Sequence, residues 1–223
     1  MTAAANTRAI GLPFSSGHVL ALRRFEASSV GAAYTSVWHR APNGLWTFHQ
    51  NVPADQSCPR YFGAAIAKNT TGPIRIEWKG PREFRVTVDA PGRIAWYVRL
   101  APTPATRMMN AAGRLMPSSW WEKPAVLSAM EVVARGLLGT GKMNLSGLTP
   151  NGHRFLATPR LIWSIAESRA IIRGVNVGAP APLPQQAMLG DFRIPQRGIF
   201  AISTAIMEDR DADVQALVGG SSF

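Results

Sequence analysis

The chain is short of cysteine, lysine and acid, and each scarcity excludes something. A single cysteine, Cys58, rules out an intrachain disulfide and points to a reducing compartment. No apolar run approaches the roughly 18 residues of a membrane-spanning helix. The first 17 residues carry one Arg and no apolar core of the secretory type, so a cytoplasmic location is expected. Gly136, Gly139, Gly141 and Gly147 lack the strand-to-helix setting of a phosphate-cradling loop, and no His, Cys or acid spacing suits a metal. Neither cofactor nor metal is therefore expected.

The 13 Asp and Glu stand against 24 Lys and Arg, only 4 of them Lys, for a net charge of +11. Residues 1–207 carry +14 and residues 208–223 carry −3, a basic body with an acidic tail. Such a body attracts anions. The arginines are scattered singly along the chain, which suits a dispersed basic surface, and nucleic acid is not an expected partner.

Turn chemistry and periodicity are abundant. Pro42-Asn43-Gly44 and Pro150-Asn151-Gly152 each combine a preset first turn residue with two that tolerate positive φ, and read as hairpin turns. Their flanks do not superimpose, so shared turn chemistry is the simpler account than duplication. From Pro73 to Pro102 the chain alternates: Ile74, Ile76, Trp78; then Phe84, Val86, Val88; then Ile94, Trp96, Val98, Leu100. A three-stranded antiparallel meander follows, with more strands at 18–27, 31–40 and 45–52. Thr103-Pro104 and Pro124 open two helices, the second with Val126, Leu127, Met130, Val133 and Leu137 on its apolar face and Ser128, Glu131 and Arg135 opposite. Strands return from Lys142, a proline-rich loop occupies 174–198, and a last strand runs from Gly198 to Met207.

The expectation is one mainly β domain over 1–223: a large antiparallel barrel or strongly curved sheet of about ten strands with a central two-helix insert. Its parts are a first β portion (17–101), the insert (103–139), a second β portion (142–207) and the acidic tail (208–223).

Candidate chemistry is sparse. A type I turn with a bulge at Gly44 would pair His39 with Thr47 and Val37 with His49, making His39 and His49 diagonal neighbours able to move protons. The plainer account is the wet face of a hairpin. Glu167 and Arg169, two apart, would share a face with Trp163, Ile165 and Ile171, where they would need each other or a ligand. Cys58 near Arg60 has the makings of a nucleophile, though a lone cysteine is more often a small apolar residue. Trp38, Trp46, Trp78, Trp96, Trp163, Met108, Met109 and Met130 supply material for an apolar ligand cavity.

Three functions fit. The first is binding of a hydrophobic small molecule of lipid, terpenoid or polyketide class in a barrel cavity. The second is a cofactor-independent acid/base enzyme, of isomerase, cyclase or hydratase type, with His39, His49, Glu167 and Arg169 in that cavity. The third is a peripheral module meeting anionic membrane through Arg107, Arg114, Lys123, Trp120 and Trp121.

Overall fold

The computed structural model describes residues 2–26, 32–121 and 123–208. The expected acidic tail lies outside the described residues beyond Glu208. Among the described residues the strands are β1 (Thr2–Pro13), β2 (Val19–Phe25), β3 (Tyr34–Arg40), β4 (Trp46–Gln50), β5 (Lys68–Thr71), β6 (Ile74–Gly80), β7 (Glu83–Val88), β8 (Ile94–Ala101), β9 (Ser146–Leu148), β10 (Arg154–Ile172), β11 (Val175–Asn176), β12 (Met188–Leu189), β13 (Phe192–Arg193) and β14 (Ile199–Glu208). The α-helices are α1 (Pro59–Phe62), α2 (Pro104–Leu115) and α3 (Pro124–Leu138).

Ten strands form one sheet in the order β5-β4-β3-β2-β1-β14-β10-β8-β7-β6, with β9 and β11 also paired to β10. All its pairs are antiparallel except β4 with β5. The sheet curls into a half-barrel: Leu20, Leu22 and Val37 from one side share a buried cluster with Phe84, Val86, Trp96 and Val98 from the other. The expected meander is β6-β7-β8, with Ile76 opposite Val86 and Val86 opposite Trp96.

Both Pro-Asn-Gly turns form as expected. Ala41 N donates to Leu45 O at 2.9 Å with Gly44 at φ 91°, and Thr149 N donates to His153 O at 2.9 Å with Gly152 at φ 81°. Asn151 goes further and holds α1, accepting from Ala64 N and donating to Arg60 O.

Strand β1 is the main departure from the sequence expectation, which began the β portion at residue 17. It sits mid-sheet between β2 and β14. Its alternation is hard to see because its outward positions Thr7, Ala9 and Gly11 are small. The same smallness recurs across the register: Ala9 faces Ala201, Thr7 faces Ser203, and Ala157 faces Ala205.

The insert crosses this small-residue face. Thr103 and Thr106 form a reciprocal capping box at the start of α2, and Asn110 bonds both the N and the O of Ile162, fastening the helix to β10. Helix α3 ends at Gly139 in the left-handed region, φ 64°. Its buried residues are Leu127, Ala134 and Leu138. Leu137, expected on the apolar face, is 50% exposed, while Glu131, expected on the polar face, accepts from Leu145 N.

Candidate functional site

The two faces of the sheet differ in what they carry. The inner face is filled by large side chains, Trp96, Phe84, Ile10, Leu20 and Leu22 among them, all less than 3% exposed. Trp96 Nε1 donates to Ser168 Oγ at 2.8 Å, so even its polar edge is satisfied within the core. The outer face, with its small residues on β1, β10 and β14, leaves space beneath α2 and α3. A cavity of about 560 Å³ occupies it, a volume ordinary for a small-molecule site.

Its floor is Thr7, Ala9, Gly11, Ala157, Ala201, Ser203 and Ala205; its roof includes Met109, Gly113, Met130 and Ala134; Trp38, Phe62, Phe155 and Phe192 close one end. Alanine, glycine and serine thus face a helical layer that Asn110 ties to β10. Gly113 packs here at close range: an added Cβ would lie 3.4 Å from the Trp121 ring.

Polar groups on this wall are few. Arg23 is 9% exposed and its Nη1 donates to Leu22 O at 2.9 Å and Ile10 O at 3.1 Å. Its guanidinium carbon lies 5.0 Å from the ring centroids of both Trp38 and Phe192. Burial holds its pKa down to about 10, so it remains charged at neutral pH. Cys58 also lines the cavity, and burial pushes its thiol up, away from the thiolate a nucleophile needs. Thr7 Oγ1, Trp121 Nε1 and Arg193 Nε are buried on this wall with no partner among the described residues.

Of the residues singled out in the sequence, Trp38, Met109 and Met130 line the cavity. Trp46, Trp78, Trp96, Trp163 and Met108 do not. Trp46 packs under α1 on the outer face, Trp96 fills the inner core, and Trp163 and Trp78 lean on Phe200 inside the curl. Met108 is 57% exposed on α2.

His39 and His49 share a face with the pairing anticipated, but that face is turned into the curl of the sheet instead of toward solvent. His49 is 3% exposed. His39 Nε2 is 2.8 Å from His18 Nδ1, and His49 Nδ1 is 2.7 Å from Thr70 Oγ1. Burial first, then the positive charges of His18, His49 and Arg173, lower His39 to about 4; burial, Arg173 and Lys68 lower His49 to about 4. Both imidazoles are neutral at pH 7, and neither lines the cavity. Among the described residues no group of three or more His, Cys, Asp and Glu could hold a metal ion.

Glu167 and Arg169 also lie away from the cavity. The sequence period placed them with Trp163 and Ile165, but a bulge shifts the register between Ile165, opposite buried Leu100, and Glu167, opposite exposed Arg99. The extra residue flips the charged pair to the outer surface, where Glu167 accepts from Arg99 at 2.9 Å and pairs with Arg169 at 2.7 Å. The Arg99 guanidinium holds the Glu167 carboxyl below its usual range.

Sequence reasoning missed Arg23, and one signal pointed to it. In Val19-Leu20-Ala21-Leu22-Arg23-Arg24-Phe25, Arg23 shares its parity with Val19, Ala21 and Phe25, a cation on an otherwise apolar strand face.

No family model matches the chain, and no curated protein matches its sequence. Two solved structures with a partly similar backbone trace are acetoacetate decarboxylases. That of Legionella pneumophila subsp. pneumophila is 8% identical with a TM-score of 0.43, over 93% of this chain and 84% of that one. Another, from structural studies of acetoacetate decarboxylase, is 10% identical with a TM-score of 0.45, over 94% and 87%. Similarity at this level leaves the chemistry of the site to be argued from its own residues.

Proposed function

We propose that the chain binds an apolar small molecule between the outer face of the half-barrel and the α2–α3 insert. The observation that carries this reading is the cavity of about 560 Å³ above a floor of alanine, glycine, serine and threonine. A packed interface would have filled that floor with larger side chains, since protein interiors tolerate few voids bigger than a water molecule. Met109 and Met130 in the roof add adaptable contacts for an irregular ligand. The test is titration with the neutral fluorophore N-phenyl-1-naphthylamine, with native mass spectrometry of freshly purified protein beside it. Saturable binding at one site is expected; no saturable binding of the probe overturns the reading.

A second reading has its own observation. Along α2, Met108 and Leu115 are 57% and 85% exposed, with exposed Arg107 and Arg114 beside them. Lys123 Nζ lies 5.6 Å from the ring centroid of Trp120, itself 48% exposed. This apolar stripe with basic flanks suits an anionic membrane surface, and apolar cargo would enter the cavity from that side. Trp121 takes no part in it, being 2% exposed with Arg160 stacked 4.6 Å over its ring. No helix among the described residues is long and apolar enough to cross a membrane. Failure to co-sediment with phosphatidylglycerol vesicles at low salt would remove this second reading and leave the first intact.

A further inference from the structure

Arg23 is the anomaly in the cavity wall. A buried guanidinium is ordinarily matched by a carboxylate, because a lone charge removed from water is expensive. None of the ion pairs among the described residues includes Arg23. Its two hydrogen bonds both leave from Nη1, to backbone carbonyls, and these fix the plane of the group. The opposite edge, Nε and Nη2, donates to no described residue. That edge is the planar fork that accepts a carboxylate through two parallel bonds.

The remaining unpartnered polar atoms of the wall agree with it. Trp121 Nε1 and Arg193 Nε are donors, and Thr7 Oγ1 can donate. Thr7 is the diagonal neighbour of Arg23, since Ala9 pairs with Arg23 and Thr7 with Phe25. A wall whose spare polar atoms are donors, with Arg23 and Arg193 both cationic, selects a ligand that accepts and carries negative charge. The charged side chains of the wall are Arg23, Arg160 and Arg193 against Glu131, whose carboxylate accepts from Leu145 N, so the wall is net cationic, and its apolar remainder requires an apolar body.

Given an apolar ligand in this cavity, the reading on which this inference rests, we propose that the ligand is a carboxylate-headed amphiphile. Its head lies against the Nε/Nη2 edge of Arg23 with Thr7 Oγ1 beside it, and its body runs between the small-residue floor and the roof of α2 and α3. Trp38 and Phe192 shield the ion pair from water, which strengthens it.

The experiment is displacement of N-phenyl-1-naphthylamine by dodecanoate, dodecan-1-ol and dodecylammonium at neutral pH. For the unaltered chain, dodecanoate is expected to displace at least about ten-fold better than the alcohol, with the ammonium weakest. Arg23→Met is expected to bring acid and alcohol within about two-fold while the neutral probe still binds. Equal displacement by acid and alcohol, with the probe bound, overturns the proposal and leaves the cavity reading standing. No binding of the probe overturns both. Should Arg23→Met fail to fold, dodecanoate labelled with ¹³C at the carboxyl and bound to the unaltered chain replaces it. Its carboxyl is expected to titrate at least about one unit lower than in neutral detergent micelles, and an unchanged titration overturns the proposal.

Discussion

Replacing Ala157 with leucine tests whether the space under the insert is a real vacancy in the folded chain. Ala157 lies on β10 opposite Ala205, and both line the cavity. The substitution adds three carbons. At about 0.8 kcal/mol for each buried methylene, filling empty apolar space would contribute roughly 2.4 kcal/mol. Ordering the leucine side chain removes about 0.5–1 kcal/mol, and incomplete burial beneath an open roof removes some of the rest. A net stabilisation of about 1 kcal/mol is expected, read as a higher urea midpoint at unchanged slope. Were the site close-packed, the same change would instead destabilise by about 1–3 kcal/mol through overpacking. The sign is therefore diagnostic. Affinity for N-phenyl-1-naphthylamine should fall together with the gain in stability, since side chain and ligand compete for one volume. A less stable variant that binds the probe as well as before would refute the reasoning.

The histidines make stability depend on acid. His39 and His49 fall from an ordinary value of 6.5 to about 4 in the folded chain, so between those limits the unfolded chain binds more protons. Their contribution is full above pH 6.5 and is lost as pH falls toward 4, and a His49→Gln variant should show a shallower loss in urea titrations over that range. Gly92→Ala would place a Cβ 2.8 Å from His49 Cε1 and 3.0 Å from Val88 Cγ1. It should destabilise by about 1–3 kcal/mol and move the His49 ring resonances in NMR; an unperturbed ring would count against the packing described. Glu167→Gln, at an exposed ion pair remote from the cavity, should leave probe affinity unchanged, and a loss of binding would place Glu167 in the site after all.

The meander, both hairpin turns and the two helix starts follow from local chemistry. Alternating apolar residues, Pro-Asn-Gly and Thr-Pro act over a few neighbouring residues and need no distant partner. The face shared by His39 and His49 was legible for the same reason, since one turn sets its register.

What that face meets was not legible. Its burial depends on β6–β8 curling over from the far side of the sheet, a contact between segments dozens of residues apart. The orientation of Glu167 and Arg169 turned on a single bulge, and a period-two pattern cannot register one inserted residue. The cavity is further still from local sequence, because it arises where small residues on β1, β10 and β14 are brought into line beneath a helical layer. Each alanine or glycine alone carries no signal. Sequence by itself determined which segments are strands and helices and how neighbouring ones turn. Tertiary structure decided which face is filled and which is hollow, because a void is a property of surfaces that meet only when the chain is folded.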